Sequence, residues 1–299
     1  MPEPDADGFV SLTEPIDLVL TLSPIAHGRG DPTIRFGPDG IWRATRTPDG
    51  PATLRLRAAD GGVAVEAWGP GARHAVDGAA DLVGANDEPG TLVPHHRLIG
   101  ELIRRYAGLR LTRTNRPFEA LIPAICEQKV AGVEARAAFR GIIAKWGEPA
   151  PGPGGLRLPP APATLAALPY FAFHPLGLER RRADLIRRAA AIAPRIEGVT
   201  PQEAYARLGA VPGIGPWTLA EVGRVAFGDP DAISVGDYHL PNVVAWALAR
   251  EPRADDARML ELLEPYRGQR GRVERLLEAA GITAPRYGPR MAPHRIAEM

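Results

Sequence analysis

PQEAYARLGAVPGIGPWTLAEVGRVAFG, residues 201–228, is the stretch on which the fold turns. Apolar residues at helical spacing run into VPGIG, and a second helical pattern follows. Two glycines two apart, Gly213 and Gly215, permit a tight hairpin with positive φ and close backbone approach. Pro216 suits the first turn of the second helix, where its missing N–H costs nothing. The amides of Gly213, Gly215 and the helix start then point outward as an anion site, strengthened by the helix dipole. A backbone phosphate of DNA fits such a turn, and Thr218 can add a hydroxyl contact. The plain alternative is an ordinary connection between two helices.

Working outward, ISVGDYHLPNVV at 233–244 places an aspartate about 20 residues beyond the hairpin. Asp237 reads in two ways that are compatible: a cap for the helix that follows, or a carboxylate that takes part in a reaction. Further helical patterns occupy 179–193, 241–250, 255–264 and 270–280. The segment 117–146 is also helical in spacing, with Pro123 marking a break or a first turn. Between them, EPAPGPGGLRLPPAP at 148–162 is a connection without periodicity.

The first part of the chain differs. IDLVLTL, TIRF, IWRATR, ATLRLRA and GVAVEAW are short, partly alternating runs of β-formers separated by GPDG, PDG and DGG turn signals. They predict an antiparallel meander over about 16–68, followed by a helix near 72–84. The fold class expected is α+β. It comprises a flexible N-terminus over 1–14, a small antiparallel β-rich domain over 15–94, an all-α domain over 95–284 and a basic tail over 285–299.

Composition bounds the function. With 45% hydrophobic and 24% charged residues, the chain has ordinary globular composition. No run of 18 apolar residues predicts a membrane span, and the acidic start MPEPDADGF does not read as a secretory signal. A cytoplasmic, nucleoid-associated protein that is monomeric and free of membrane is expected. The net charge of +1 is unevenly spread: residues 1–100 hold 14 acids and 8 bases, residues 101–299 hold 21 and 28. That asymmetry suggests a polyanionic partner for the second part. Cys126 is the only cysteine; it reads as a small buried apolar residue, and a disulfide framework or a four-thiolate cluster is ruled out.

The pair VPGIGPWT and VGDYHLP resembles the helix-hairpin-helix DNA glycosylases, which carry a Gly/Pro segment and an essential aspartate. Within that superfamily the chain is most similar to 3-methyladenine DNA glycosylase II. LRLTRTNRPFEALIPAICEQKV is similar to the segment that opens the family's helical domain, and PLGLERRRADLIRRAAAIA to its middle helix. The likeness covers about residues 15–280 and is specific over 205–245.

The resemblance implies a monofunctional glycosylase of base excision repair. It would flip an alkylated base out of double-stranded DNA and hydrolyse its glycosidic bond, leaving an abasic site. Asp237 stands where the family places its catalytic carboxylate. Trp217 stands where the lyase branches carry a nucleophilic lysine; it implies no Schiff base, and an aromatic face for a cationic base. A packing role is the alternative for Trp217. Tyr238 would line the pocket, and His239 reads as a hydrogen bonder at the helix start. Gln128 and Lys129 would lie at the loop that plugs the duplex, where the alkylation branch is commonly apolar; Lys129 otherwise reads as a solvent-facing lysine.

Two pocket positions depart from the branch: Glu221 stands for a tyrosine and Arg275 for a tryptophan. Tyr170, Phe171 and Phe173 are further pocket candidates, or a hydrophobic loop anchor. Arg267, Arg270 and Arg272 would extend the DNA surface, or form a solvated helix face. No cofactor is required; the family's hairpin often holds a structural monovalent cation, Na or K, here through the carbonyls of Gly209, Val211 and Ile214. Two alternatives stay open. One is a non-catalytic, structure-sensing DNA-binding protein that keeps the hairpin. The other is a glycosylase for an oxidised or deaminated base.

Overall fold

The structure, a computed structural model, describes residues 2–285; the basic tail expected over 285–299 lies almost wholly outside the described residues. Five antiparallel strands, β1 (Ala6–Ser11), β2 (Ile34–Gly37), β3 (Gly40–Thr47), β4 (Gly50–Ala59) and β5 (Gly62–Trp68), form one sheet in the order β1-β5-β4-β3-β2. Strands β2 to β5 are the expected meander, joined by the expected turns.

Two readings of this region need correction. Residues 6–11, expected within a flexible N-terminus, form edge strand β1, in register with β5 from Ala6↔Ala67 to Ser11↔Gly62. The alternation of Phe9 and Val10 with small polar residues was too short a signal to separate a strand from a tail. IDLVLTL, expected as a strand, instead carries helix α1 (Leu18–Leu22). Asp17 caps it, its Oδ1 accepting from Leu20 N at 2.9 Å, and Leu18, Thr21 and Leu22 share the buried face at helical spacing.

The inner face of the sheet packs Ile41, Leu54, Leu56, Val63 and Val65 against α1, α2 (Ala72–Asp77) and α3 (Ala79–Leu82). The outer face stacks Trp42 on Trp68, with Leu156 and Leu158 of the proline-rich connection closing over them. The sheet is tied to the helices by Glu119. Its carboxylate accepts from Arg43 Nη2 and Thr45 Oγ1, both at 2.9 Å, and from Arg46 N at 2.8 Å.

Helices α4 (Arg97–Arg105) to α13 (Arg270–Ala279) make up the rest, and they have two hydrophobic cores rather than one. The first is built by α5 (Pro117–Glu127), α6 (Gly132–Trp146), α7 (Pro162–Ala167), α8 (Arg180–Ile196), α9 (Pro201–Gly209) and α10 (Pro216–Val222). Cys126 lies within it, its thiol pushed up to about 12 by burial, so it is unreactive. The second joins α4 to α11 (Leu240–Ala249), α12 (Asp256–Leu263) and α13. Thus α4 packs with the last helices, not with its neighbours in sequence. No helix among the described residues is long and apolar enough to cross a membrane.

Glu197, after α8, is bonded to Phe118 N at 3.0 Å and paired with Arg116 at 3.5 Å. Burial still raises its carboxyl from 4.5 to about 7. Between these pH values the folded chain holds a proton that the unfolded chain has lost. Its contribution to stability is therefore full below about 4.5 and is lost as pH rises through about 7. Glu197→Gln mimics the protonated form. Its stability relative to the parent, from urea midpoints, should rise between these two pH values and level off above them.

Candidate active site

The hairpin forms as expected. α9 opens with a capping box in which Thr200 Oγ1 and the Glu203 carboxylate each accept from the other's backbone N–H, and it ends at Gly209. The chain turns at VPGIG and re-enters helix at Pro216. Gly213 has φ +102°, where any side chain is strained. Gly213 is exposed and Gly215 half-buried, so the tip of the hairpin is open on its outer side. Thr218 differs from expectation. Its side chain is buried, and its Oγ1 accepts from Gln128 Nε2 at 2.9 Å, so it serves the hairpin and not a phosphate. The same amide donates to Gly213 O at 3.1 Å. Gln128 is thus a brace between the α5–α6 turn and the hairpin.

Beside Gln128 stands Lys129, exposed and with φ +55°. A lysine in the left-handed region is strained, and such strain concentrates at functional segments. Arg182, fully buried, donates to Cys126 O at 2.7 Å and so fixes the end of α5 just before this turn.

Asp237 stands where the two helical cores meet. Its Oδ1 accepts from His239 N at 2.7 Å and Leu240 N at 2.8 Å, which caps α11. Its Oδ2 accepts from Trp217 Nε1 at 3.3 Å, a long but formed bond. Three N–H donors, two from the second core and one from α10, therefore fix the carboxylate. Trp217 is half-buried and flanks Asp237 as expected. Tyr238 is 86% exposed and edge-on to His239, and it lines no pocket. Because Asp237 grips the amides on either side of the turn, position 238 projects outward.

One helical turn, about 5.4 Å, below Trp217 on α10 lies Glu221, at a cavity of about 290 Å³. The lining joins Glu221 to Arg224 and Val225 after α10, Arg275 and Glu278 on α13, and Ser23 after α1. The structure thus brings Glu221 and Arg275 into one site, as the resemblance implied. It does not bring Trp217 or Tyr238 into that lining, and among the described residues no aromatic side chain lines it.

Arg224, Ser234, Glu274 and Glu278 were not foreseen. Their only sequence signals are the helical spacing of Glu221 to Arg224 and of Glu274 to Glu278. Five residues at 223–227 form a π-helical turn that continues α10 and swings Arg224 toward α13. The freed carbonyls of Val225 and Ala226 accept from Thr114 N at 3.0 Å and Asn115 N at 2.9 Å. Gly223 is needed there, since a Cβ would stand 1.9 Å from Tyr205 Oη. Arg224 donates to Glu274 and to Glu278 Oε2 at 2.6 Å, and it is paired with Glu221 at 3.4 Å. Burial works against its charge, but these three carboxylates hold its pKa well above the usual value. Burial raises Glu221, and raises Glu274 to about 8.

The remaining arginines do not form the expected DNA surface. Arg272 is buried against Asp87, and Arg270 is paired with Asp231. Only Arg267 is exposed, in a surface pair with Glu264. Tyr170 and Phe171 are exposed while Phe173 is buried in the first core, as a loop anchor requires. At the hairpin, the Val211 carbonyl accepts from Ile214 N at 3.0 Å and keeps its second lone pair. Gly209, Val211 and Ile214 offer hard oxygen donors within one turn. Among the described residues, no group of three or more His, Cys, Asp or Glu is placed to hold a metal.

No protein-family model matches the chain, and no curated protein matches it significantly. Solved structures match it in fold. The 3-methyladenine DNA glycosylase from Archaeoglobus fulgidus superposes with a TM-score of 0.74 at 19% identity, over 90% of this chain and 97% of that one. The 8-oxoguanine glycosylase/lyase of Clostridium acetobutylicum, bound to double-stranded DNA with cytosine opposite 8-oxoG, gives 0.69 at 13% identity, over 94% and 100%. The 3-methyladenine DNA glycosylase of Schizosaccharomyces pombe, in complex with abasic DNA, gives 0.51 at 18% identity, over 63% and 93%. At these identities the likeness is one of fold: the chain has the helix-hairpin-helix glycosylase architecture.

Proposed function

We propose that this chain is a monofunctional DNA glycosylase, one that flips a damaged base from duplex DNA and hydrolyses its glycosidic bond. The observation that carries this is the placement of Asp237. It is held by the amides of His239 and Leu240 and by the Trp217 indole, beside an open hairpin and above a cavity. As the base departs with the bonding electron pair, the sugar gains oxocarbenium character. A fixed carboxylate stabilises that charge and orients the water that attacks the anomeric carbon, accepting its proton. The exposed tip at Gly213 and Gly215 would hold the phosphate backbone, and Lys129 would enter the space left by the flipped nucleotide. A monovalent cation bound by the carbonyls of Gly209, Val211 and Ile214 would add positive charge at that tip.

The chain has two lysines, Lys129 and Lys145. Neither is at the position of Trp217, so no Schiff base is expected there. A duplex with a released base should therefore break only after alkali. Strand cleavage without alkali would contradict the monofunctional reading. Absence of base release from every lesion, with salt-dependent DNA binding intact, would leave a structure-sensing binder. For an alkylated, cationic substrate the supporting observation is the Trp217 face beside Asp237, worth roughly 0.5–2 kcal/mol as a cation–π contact.

A further inference from the structure

The cavity below Asp237 has a chemistry of its own. A ring cation is bound either by aromatic faces or by net negative charge. Neither is offered here. The lining holds two guanidiniums, Arg224 and Arg275, against Glu221 and Glu278, with Glu274 behind Arg224. Three carboxylates crowd one guanidinium, and burial favours a proton on one of them, which leaves the cluster near charge balance.

What the cavity does offer is an acceptor beside a donor. Both hydrogen bonds of Glu221, from Ser234 Oγ and Arg224 Nη1, run to Oε1, which leaves Oε2 to accept. Arg275 is 7% exposed, and its Nη2 donates to Leu20 O and to Ser23 Oγ at 2.7 Å, so its guanidinium is fixed. Its Nε is buried without a partner. A buried donor without an acceptor is rare in native proteins, and a base carbonyl would supply one.

We propose that this cavity takes a neutral base carrying a ring N–H beside a carbonyl oxygen, with Glu221 accepting the N–H and Arg275 donating to the oxygen. The inference rests on the glycosylase reading above and names its substrate class: an oxo-base such as 8-oxoguanine, hypoxanthine or uracil. Sites that read a base through buried polar groups reject analogues lacking the matching groups far more strongly than apolar pockets do.

The test compares kcat/KM of the full chain on duplexes carrying one 8-oxoguanine, hypoxanthine, uracil or 7-methylguanine, read as alkali-labile sites. At least one oxo-base should be released about 10-fold or more faster than 7-methylguanine. Glu221→Gln, which replaces one acceptor with a donor, should lower that ratio about 10-fold or more. Because the ratio is taken on one preparation, partial unfolding of the variant cancels. Faster release of 7-methylguanine by the parent, or an unchanged ratio in Glu221→Gln, overturns the inference and leaves the glycosylase reading standing. No release from any duplex overturns both.

Discussion

Asp237→Asn should abolish most base release while leaving the fold intact. Asparagine keeps a side-chain oxygen for the amides of His239 and Leu240, so the cap of α11 survives. It loses the negative charge that would face the oxocarbenium sugar and the basicity needed to take a proton from water. A loss of at least about 10²-fold in single-turnover release is expected, the lower range for a positioned acid–base group. Asp237→Ala should add a stability cost of about 1 kcal/mol, because the cap is also removed. The two variants separate the roles that one residue combines. Equal release by Asp237→Asn and the parent would sink the catalytic assignment.

The second large effect is on stability. Asp87 and Arg272 form a bidentate pair whose side chains are 8% and 4% exposed. Asp87 also accepts from Leu111 N at 2.9 Å, so it joins the segment after α3 to α13. Removing it in Asp87→Ala leaves a buried guanidinium that cannot shed its proton. A loss of about 3–5 kcal/mol is expected, read from the urea midpoint. Asp87→Leu combined with Arg272→Met should recover much of it, since two apolar side chains carry no uncompensated charge. A cost below about 1 kcal/mol for Asp87→Ala, the scale of an exposed pair, would show that the pair is solvated.

The hairpin was legible because glycine and proline act locally. VPGIGP restricts its own backbone, and its reading needs no tertiary partner. The helices that follow were legible for a related reason: apolar spacing marks the buried face wherever the core lies. IDLVLTL failed because a short apolar run is ambiguous between strand and helix. There the Asp17 cap and the packing of Leu18 and Leu22 on the sheet decide. The arginines on and before α13 failed for a different reason. Charge in a sequence carries no information about its partner, and Asp87 lies 185 residues from Arg272.

What the sequence by itself determined is the two-part device: a glycine hairpin, and an aspartate about 20 residues on that begins a helix. Those are local propensities, fixed by backbone sterics and by the reach of a short side chain to nearby amides. Only the tertiary structure decided what lies beneath Asp237. The π-helical turn carries Arg224 to Glu274 and Glu278, and α1 brings Ser23 and the Leu20 carbonyl to Arg275. These contacts join the two ends of the chain, 252 and 255 positions apart. They form because buried charges must find partners wherever the fold supplies them, and no local pattern records that search.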